Sequence, residues 1–185
     1  TFGCGGNVHG YNAGRDNGVK SIPAVAESID MFECSKVIHT PLGRIGVTWK
    51  DCVLTGVDLE PKDSEESTEQ LPLSVSEQFD AYFREGSACF DLSMKLRGTS
   101  FQRRVWAVLR TILPGRTLTY GELASKLGTG ARAIGGACRA NPCPIVVPCH
   151  RVVAANGLGG FAGDTTGRKL EVKRWLLRHE GNSEF

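Results

Sequence analysis

The fold is decided by a stretch in the second half of the chain, residues 120–140, which reads YGELASKLGTGARAIGGACRA. The apolar spacing of residues 120–127 predicts a short helix, and Gly128-Thr129-Gly130 predicts a tight turn. Residues 131–140 predict a second helix. Because helix, glycine turn and helix form the outline of a helix-turn-helix unit, we expect the second half of the chain to be all-helical.

The second of these helices has an unusual composition, because Gly135 and Gly136 stand side by side within it. Each glycine is disfavoured by about 1 kcal/mol relative to alanine inside a helix. Two explanations are open: the small residues let a neighbouring helix pack closely, or they leave a smooth surface that approaches a nucleic-acid groove. Packing explains the small residues equally well, but it does not explain why Arg132 stands among them.

A longer helix precedes this unit. Thr99 followed by Gln102 is a capping-box pattern that predicts the start of the helix. Pro114-Gly115 predicts its end. One apolar face runs between them, formed by Phe101, Val105, Leu109 and Ile112.

A cysteine between a proline and a histidine follows the helix-turn-helix unit, in the segment Pro148-Cys149-His150-Arg151-Val152. The thiolate is the reactive form of cysteine, and a neighbouring imidazole makes thiolate available at neutral pH. Pro148 restricts the backbone just before the sulfur. Cys149 is therefore a candidate nucleophile and His150 a candidate base, while buried packing is the common alternative for a lone Cys-His pair.

The first half of the chain predicts a small antiparallel sheet covered by a helix. Alternating stretches at 32–39, 44–49 and 52–57 predict three strands, with turns at Thr40–Gly43 and Lys50-Asp51. The four-residue spacing of Val75, Phe79 and Phe83 predicts the covering helix. The predicted fold class is therefore α/β, of the α+β kind.

Three segments follow from this pattern. Residues 1–30 are rich in glycine and asparagine and predict a flexible tail or a linker remnant. Residues 31–93 predict an N-terminal α/β domain, and residues 94–185 predict a C-terminal domain. The first 93 residues carry 7 Lys/Arg against 15 Asp/Glu, and the remainder carries 15 against 5. A basic second half indicates a polyanionic partner, although basic helices are also commonly just solvated.

The cysteines indicate a reducing compartment. Seven is an odd number, and their spacing does not resemble a disulfide framework. Residues 1–13 lack the basic start and apolar core of a secretion signal, so we expect a cytoplasmic protein, or a nuclear one in a nucleated cell. No C-x-x-C pair accompanies Cys4 and His9, and we expect no zinc and no other cofactor.

Several motifs, in their order and spacing, resemble the O6-alkylguanine-DNA alkyltransferases, also called methylated-DNA–protein-cysteine methyltransferases. The motifs are Phe101–Trp106, Tyr120, Arg132–Ala137, Asn141-Pro142, Pro144-Ile145, Pro148–Val153, Gly157, Gly159–Gly163 and Lys173–Glu180. The resemblance is strong over residues 101–181 and extends to residues 32–90 only in architecture. It implies a ribonuclease H-like N-terminal part and a winged-helix-like C-terminal part.

The resemblance implies a single-turnover reaction in which the alkyl group on guanine O6 moves irreversibly to Cys149. His150 would take the thiol proton through a bridging water, and Glu180 would orient His150. Tyr120 would donate a proton toward N3 of guanine. Asn141 would brace the turn that leads into the active-site loop.

The implied partner is double-stranded DNA that contains O6-alkylguanine, bound through its minor groove by a monomer, with cooperative assembly on DNA left open. Arg132 would enter the base stack in place of the flipped nucleotide. The other residues implied to bind DNA are Ala133, Gly135, Gly136, Arg139 and Arg151. Those implied to form the substrate pocket are Pro144, Val152, Gly160, Phe161, Ala162 and Gly163.

The chain departs from the family pattern in one loop, and two other functions compete with alkyl transfer. Residues 164–168 make the loop longer than usual, which predicts an altered pocket rim. One competing function is a sensor that recognises alkylated guanine without reacting; the other is a regulator, with residues 1–28 as the trace of a larger protein. Such sensors replace the acceptor cysteine, so the presence of Cys149 favours transfer.

Overall fold

The computed structural model describes residues 33–62 and 68–185, and all of them belong to one compact unit. The predicted tail at residues 1–30 lies outside the described residues, as does Phe32 at the start of the first predicted strand. The division into two domains near residue 93 stays a prediction.

Three antiparallel strands form the N-terminal sheet in the order β1 (Cys34–Thr40), β2 (Gly43–Lys50) and β3 (Val53–Asp58). Alternate residues of β2, namely Ile45, Val47 and Trp49, are buried, as expected for a strand with one solvated face. Lys50 pairs with Val53, so the hairpin turn consists of Asp51 and Cys52, one residue later than predicted. Both turn residues have positive φ, which is the conformation that a type I′ hairpin requires.

Helix α1 (Leu73–Arg84) shares a hydrophobic core with this sheet. Val75 and Phe79 are buried as their spacing predicted, but the third buried residue is Tyr82, while Phe83 is half-buried. The buried face is therefore turned by one residue from the prediction. The Tyr82 hydroxyl makes a buried hydrogen bond, described below.

The C-terminal helices confirm the predicted helix-turn-helix unit. Helix α2 (Ser100–Leu109) begins at Thr99 with the predicted capping box, but it ends at Leu109, before the predicted end at Pro114-Gly115. Helix α3 (Tyr120–Leu127) ends at Gly128 in the left-handed conformation. Helix α4 (Ala131–Arg139) packs against both α2 and α3. The indole Nε1 of Trp106 in α2 donates to the Ala137 carbonyl of α4 at 2.9 Å.

Two short strands in this half were not predicted. Strand β4 (Leu118–Thr119) pairs in parallel with β5 (Val152–Val153), so this half is not purely helical. Because the pairing is parallel, Tyr120, which follows β4, comes level with Ala154, the residue that follows β5. Helix α5 (Arg168–His179) completes the described structure. Within the described residues, no helix is both long and apolar enough to cross a membrane.

The sheet also contacts the segment that carries the candidate nucleophile. The Val57 amide of β3 donates to the Pro142 carbonyl at 2.8 Å. On the same strand, Leu54 exchanges backbone hydrogen bonds with Ser93 and Lys95 of the connecting stretch. The N-terminal half is therefore attached directly to the loop that leads to Cys149.

Candidate active site

Cys149 lies at a cavity of about 340 Å³ and is only 3% exposed. Its Sγ accepts a hydrogen bond from Asn141 Nδ2 at 3.2 Å. The same amide also donates to the Val147 carbonyl, and its Oδ1 accepts from the Cys143 amide. Asn141 thus ties the turn after α4 to the thiol and to the segment that precedes it.

The segment between Asn141 and Cys149 is constrained. Ile145 is buried and has a φ of +75°, which a β-branched residue rarely adopts. Such a conformation costs about 1–3 kcal/mol and persists only where the surroundings enforce it. With Pro148 directly before the nucleophile, this loop holds Cys149 in one position.

His150 contacts Glu180 through one ring nitrogen only. The His150 Nε2 to Glu180 Oε1 distance is 2.7 Å, and the ring is fully buried. Burial lowers the pKa of His150 and outweighs the raising effect of the Glu180 charge, so the ring is neutral at neutral pH. Because a carboxylate only accepts, Nε2 carries the proton and Nδ1 is free to accept one. Nδ1 is buried without a hydrogen-bond partner among the described residues.

Glu180 is the acceptor of a dense set of donors. Oε1 accepts from the Tyr82 hydroxyl at 2.7 Å and from Arg151 Nη2 at 2.8 Å, in addition to His150. Oε2 accepts from Arg151 Nε at 2.9 Å and from the Gly115 amide at 3.3 Å. Burial alone would raise the pKa of Glu180, but the hydrogen bonds of His150 and Arg151 and the charge of Arg151 outweigh burial and hold that pKa well below its usual range.

Arg151 was predicted to bind DNA, and this prediction is wrong. Its side chain is 7% exposed and donates to the Glu180 carboxylate and to the Ile112 carbonyl. A basic residue next to the nucleophile resembles a DNA contact in sequence. In the fold, it neutralises a buried carboxylate instead.

Tyr120 stands on the cavity wall. Its hydroxyl donates to the Gly160 carbonyl at 3.1 Å. Burial, with smaller effects of Cys138 and Cys149, raises the pKa of Tyr120, so the phenol is protonated at neutral pH and can donate.

Lys173 was part of a quoted motif but received no role from the sequence. Its side chain is fully buried, and Nζ donates to the carbonyls of Val152, Leu158 and Gly160 at 2.6, 2.6 and 2.9 Å. Burial lowers its pKa to about 8, against the opposing effect of the nearby thiols. The signal that could have revealed it is its spacing, since Lys173 shares the buried face of α5 with Leu176 and Leu177.

The cavity brings together most of the predicted DNA-binding and pocket residues. Its lining comprises Tyr120, Arg132, Gly135, Gly136, Cys138, Arg139, Cys149, Gly160, Phe161, Ala162, Gly163, Asp164 and Thr165. Cys138 was not predicted there. Pro144 and Val152 are buried and do not belong to the lining, while Ala133 is exposed.

The glycines of α4 are not explained by packing. A Cβ built at Gly135 or Gly136 would meet no atom within 4 Å. Arg132 is exposed on the same helix. Of the two explanations left open by the sequence, the structure therefore favours a surface kept smooth for something outside the chain.

The cavity rim is a tight turn. Phe161 and Asp164 exchange backbone hydrogen bonds at 2.8 and 2.9 Å, with Ala162 and Gly163 at positive φ between them. Asp164 also pairs with Lys169 at 3.2 Å. Residues of the 164–168 loop thus form part of the cavity wall, through Asp164 and Thr165.

Metal ligands do not cluster in the described part of the chain, where no three His, Cys, Asp or Glu side chains lie close enough to hold an ion. The expected lack of zinc stays a prediction. Stoichiometric zinc in elemental analysis of the purified protein would contradict it.

Comparisons with known proteins agree on one family. The sequence profile of the DNA-binding domain of 6-O-methylguanine DNA methyltransferase matches residues 100–182. Methylated-DNA–protein-cysteine methyltransferases of Mycolicibacterium paratuberculosis and Methanosarcina acetivorans are each 41% identical to this chain. The alignments cover 78% and 79% of this chain and 90% and 97% of theirs.

Solved structures give the same result. The O6-methylguanine methyltransferase of Mycobacterium tuberculosis is 35% identical, with a TM-score of 0.70 over 80% of this chain and 93% of its own. A complex of the M. tuberculosis protein with DNA gives 36% identity and a TM-score of 0.68, over 80% and 92%. With its sequence, its fold and a buried cysteine at the expected position, this chain belongs to the methylated-DNA–protein-cysteine methyltransferase family.

Proposed function

We propose that this chain repairs O6-alkylguanine in DNA by transferring the alkyl group irreversibly to its own Cys149, once per molecule. One observation carries the proposal: the Cys149 thiol lies at a cavity bordered by the Arg132 helix and precedes a neutral histidine that is tied to an ionised glutamate. Relatives that are named for this activity support the proposal, as does the structure of a relative bound to DNA.

The residues support the following proton and bond changes. The thiol proton of Cys149 passes to His150 Nδ1 through a bridging water, and Glu180 stabilises the resulting imidazolium. The thiolate attacks the alkyl carbon, an S–C bond forms, and the bond between that carbon and O6 breaks. Tyr120 donates its proton toward N3, so guanine leaves as a neutral base.

The guanine reaches the cavity only when it leaves the duplex, because chemistry of this kind cannot occur inside the stack. We assign Arg132 to the space that the flipped nucleotide leaves. Ala133, Gly135 and Gly136 would let α4 approach the minor groove, with Arg139 on the cavity wall. Asp164 and Thr165 would limit the size of the alkyl group.

We assign a different role to each of two regions: residues 31–93 support the site, and residues 94–185 bind DNA and carry the acceptor cysteine. The reaction requires a reduced thiol and access to DNA, and Cys149 is not in a disulfide. We therefore place it in the cytoplasm, or in the nucleus if the cell has one.

The test is to incubate the protein with a duplex that contains O6-methylguanine and to weigh the peptide that includes Cys149. We expect one methyl adduct per molecule on Cys149. Cys149→Ala is the matched variant and should bind the duplex, measured by fluorescence anisotropy, without acquiring the adduct. Binding by the original protein without any adduct would contradict the proposal and favour a sensor.

A further inference from the structure

Tyr82 provides a direct link from the N-terminal half to the acid–base residues. Its hydroxyl donates to Glu180 Oε1 at 2.7 Å, and His150 Nε2 donates to the same oxygen at the same distance. Tyr82 is 1% exposed. Burial raises the pKa of Tyr82, and the Glu180 charge raises it further, so this phenol remains a donor.

The position of Tyr82 is fixed from two sides. His179, the residue before Glu180, donates through Nε2 to the Tyr82 carbonyl at 2.7 Å. Just beyond α1, a Cβ at Gly86 would overlap the His179 carbonyl, so only glycine allows this approach. The end of α1 is thus joined to the end of α5 through both the backbone and the side chain of Tyr82.

The charged and titratable groups around this oxygen come from three parts of the chain. Tyr82 belongs to α1, Lys173 and His179 belong to α5, and Arg151 belongs to the 3-10 turn Cys149–Arg151. Among the described residues, the side chains whose hydrogen bonds or charges act on the His150–Glu180 pair are Tyr82, Arg151 and Lys173, while His179 contacts the Tyr82 carbonyl.

We propose that Tyr82 is a positioning residue for alkyl transfer: by donating to Glu180 Oε1, it orients the carboxylate and limits how strongly that oxygen attracts the His150 proton. The N-terminal half then takes part in the proton transfer through one hydroxyl. This inference rests on the proposed function, because it assigns Tyr82 to the same reaction.

Removal of that hydroxyl should shift the pH dependence of the transfer rate in one direction. In Tyr82→Phe, Oε1 loses one donor, so its negative charge acts more strongly on His150. A more strongly stabilised imidazolium means a higher pKa for His150. Since His150 accepts a proton only when neutral, the acidic limb of the rate profile moves to higher pH. We expect a shift of about one pH unit.

The experiment measures the single-turnover rate of methyl transfer to Cys149 between about pH 5 and pH 8 for the original protein, Tyr82→Phe and Phe79→Leu. Phe79 is the matched control, because it is buried on the same helix and contacts Phe83 and Phe90 but makes no hydrogen bond to Glu180. The stability of each variant is measured in parallel by urea unfolding.

We expect Tyr82→Phe to lose rate mainly at the acidic end, by about tenfold, and to approach the original protein near the alkaline end. Phe79→Leu should lower stability while leaving the shape of the profile unchanged. A Tyr82→Phe profile that overlays the original, or that falls equally at every pH, would overturn the inference. If the original protein itself transfers no methyl group, the proposed function fails instead.

Discussion

Lys173 shows how much of this site depends on a single buried cation. Its ammonium joins three carbonyls from β5 and from the loop after it, and no side-chain anion accepts from it among the hydrogen bonds of the described residues. A cation in such a place gives up most of its hydration, which explains the lowered pKa. Its contribution is to hold the cavity rim against the strand that follows Cys149.

We expect Lys173→Met to lower the free energy of unfolding by about 3 kcal/mol, because one buried and two half-buried carbonyls lose their charged donor. The effect depends on pH. The pKa of Lys173 is about 8 in the folded chain and about 10.4 when unfolded, so the unfolded state binds more protons between these values. The original protein therefore gains stability relative to the variant as pH rises from about 8 to about 10.

Urea unfolding at about pH 7.5 and about pH 9.5, under reducing conditions, measures this difference. Lys169→Met is the matched control, because Lys169 is on the same helix with its ammonium partly in solvent. The difference in free energy of unfolding between the original protein and Lys173→Met should increase with pH. The corresponding difference for Lys169→Met should stay constant. A constant difference for both variants would mean that Lys173 is not held as a buried cation.

Some residues of the site were predicted from the sequence and others were missed. Cys149, His150 and Glu180 were predicted because they belong to motifs with a chemical rationale, and the structure brings them together. Tyr82 was missed because its partner is set by a tertiary contact that leaves no local pattern. The spacing of Lys173 indicates that it is buried, but it does not show which carbonyls it binds. Arg151 was assigned to DNA because charge alone does not distinguish a surface arginine from a buried one.

The fold does not require the two glycines on the surface of helix α4, because neither is in close contact with the rest of the chain. Since a Cβ at Gly136 meets no atom, Gly136→Ala should preserve the structure and raise stability by about 0.5–1 kcal/mol. The same methyl group would hold the helix away from the minor groove. We therefore expect slower repair in duplex DNA from a more stable protein.

Each variant is reacted with a duplex substrate and with free O6-benzylguanine. This comparison separates an effect on the approach to DNA from an effect on the reaction itself. Arg132→Ala should likewise slow duplex repair, by about tenfold or more, and leave the reaction with the free base almost unchanged. Ser74→Ala, an exposed change on α1, is the control for helix propensity alone. Equal losses on both substrates would contradict the roles given to Arg132 and Gly136.

Among the elements, periodicity predicted the long ones well. The helices of the helix-turn-helix unit and the antiparallel strands appear within a residue or two of the expected bounds, because they have enough turns or alternations to be recognised. The β4–β5 pair was missed, since strands of two residues contain no period. That pair nevertheless positions Tyr120, so the least predictable element has a direct effect on the site.

The whole molecule has an uneven charge, with an acidic first half and a basic second half. Binding to DNA should therefore weaken steeply with salt, with little sequence preference. If about four phosphates are contacted, affinity should fall by about 100-fold between 50 and 200 mM salt. Anisotropy titrations over this range measure the slope, which Arg139→Ala should reduce. A slope near zero would exclude phosphate contacts as the source of binding.

The contact between Tyr82 and Glu180 joins residues that are 98 positions apart. During synthesis, Cys149 is added to the chain before the carboxylate that orients its histidine. A nascent chain therefore carries the acceptor sulfur before it has the means to activate it. A molecule that reacts only once therefore becomes competent only when the end of α5 has docked against α1.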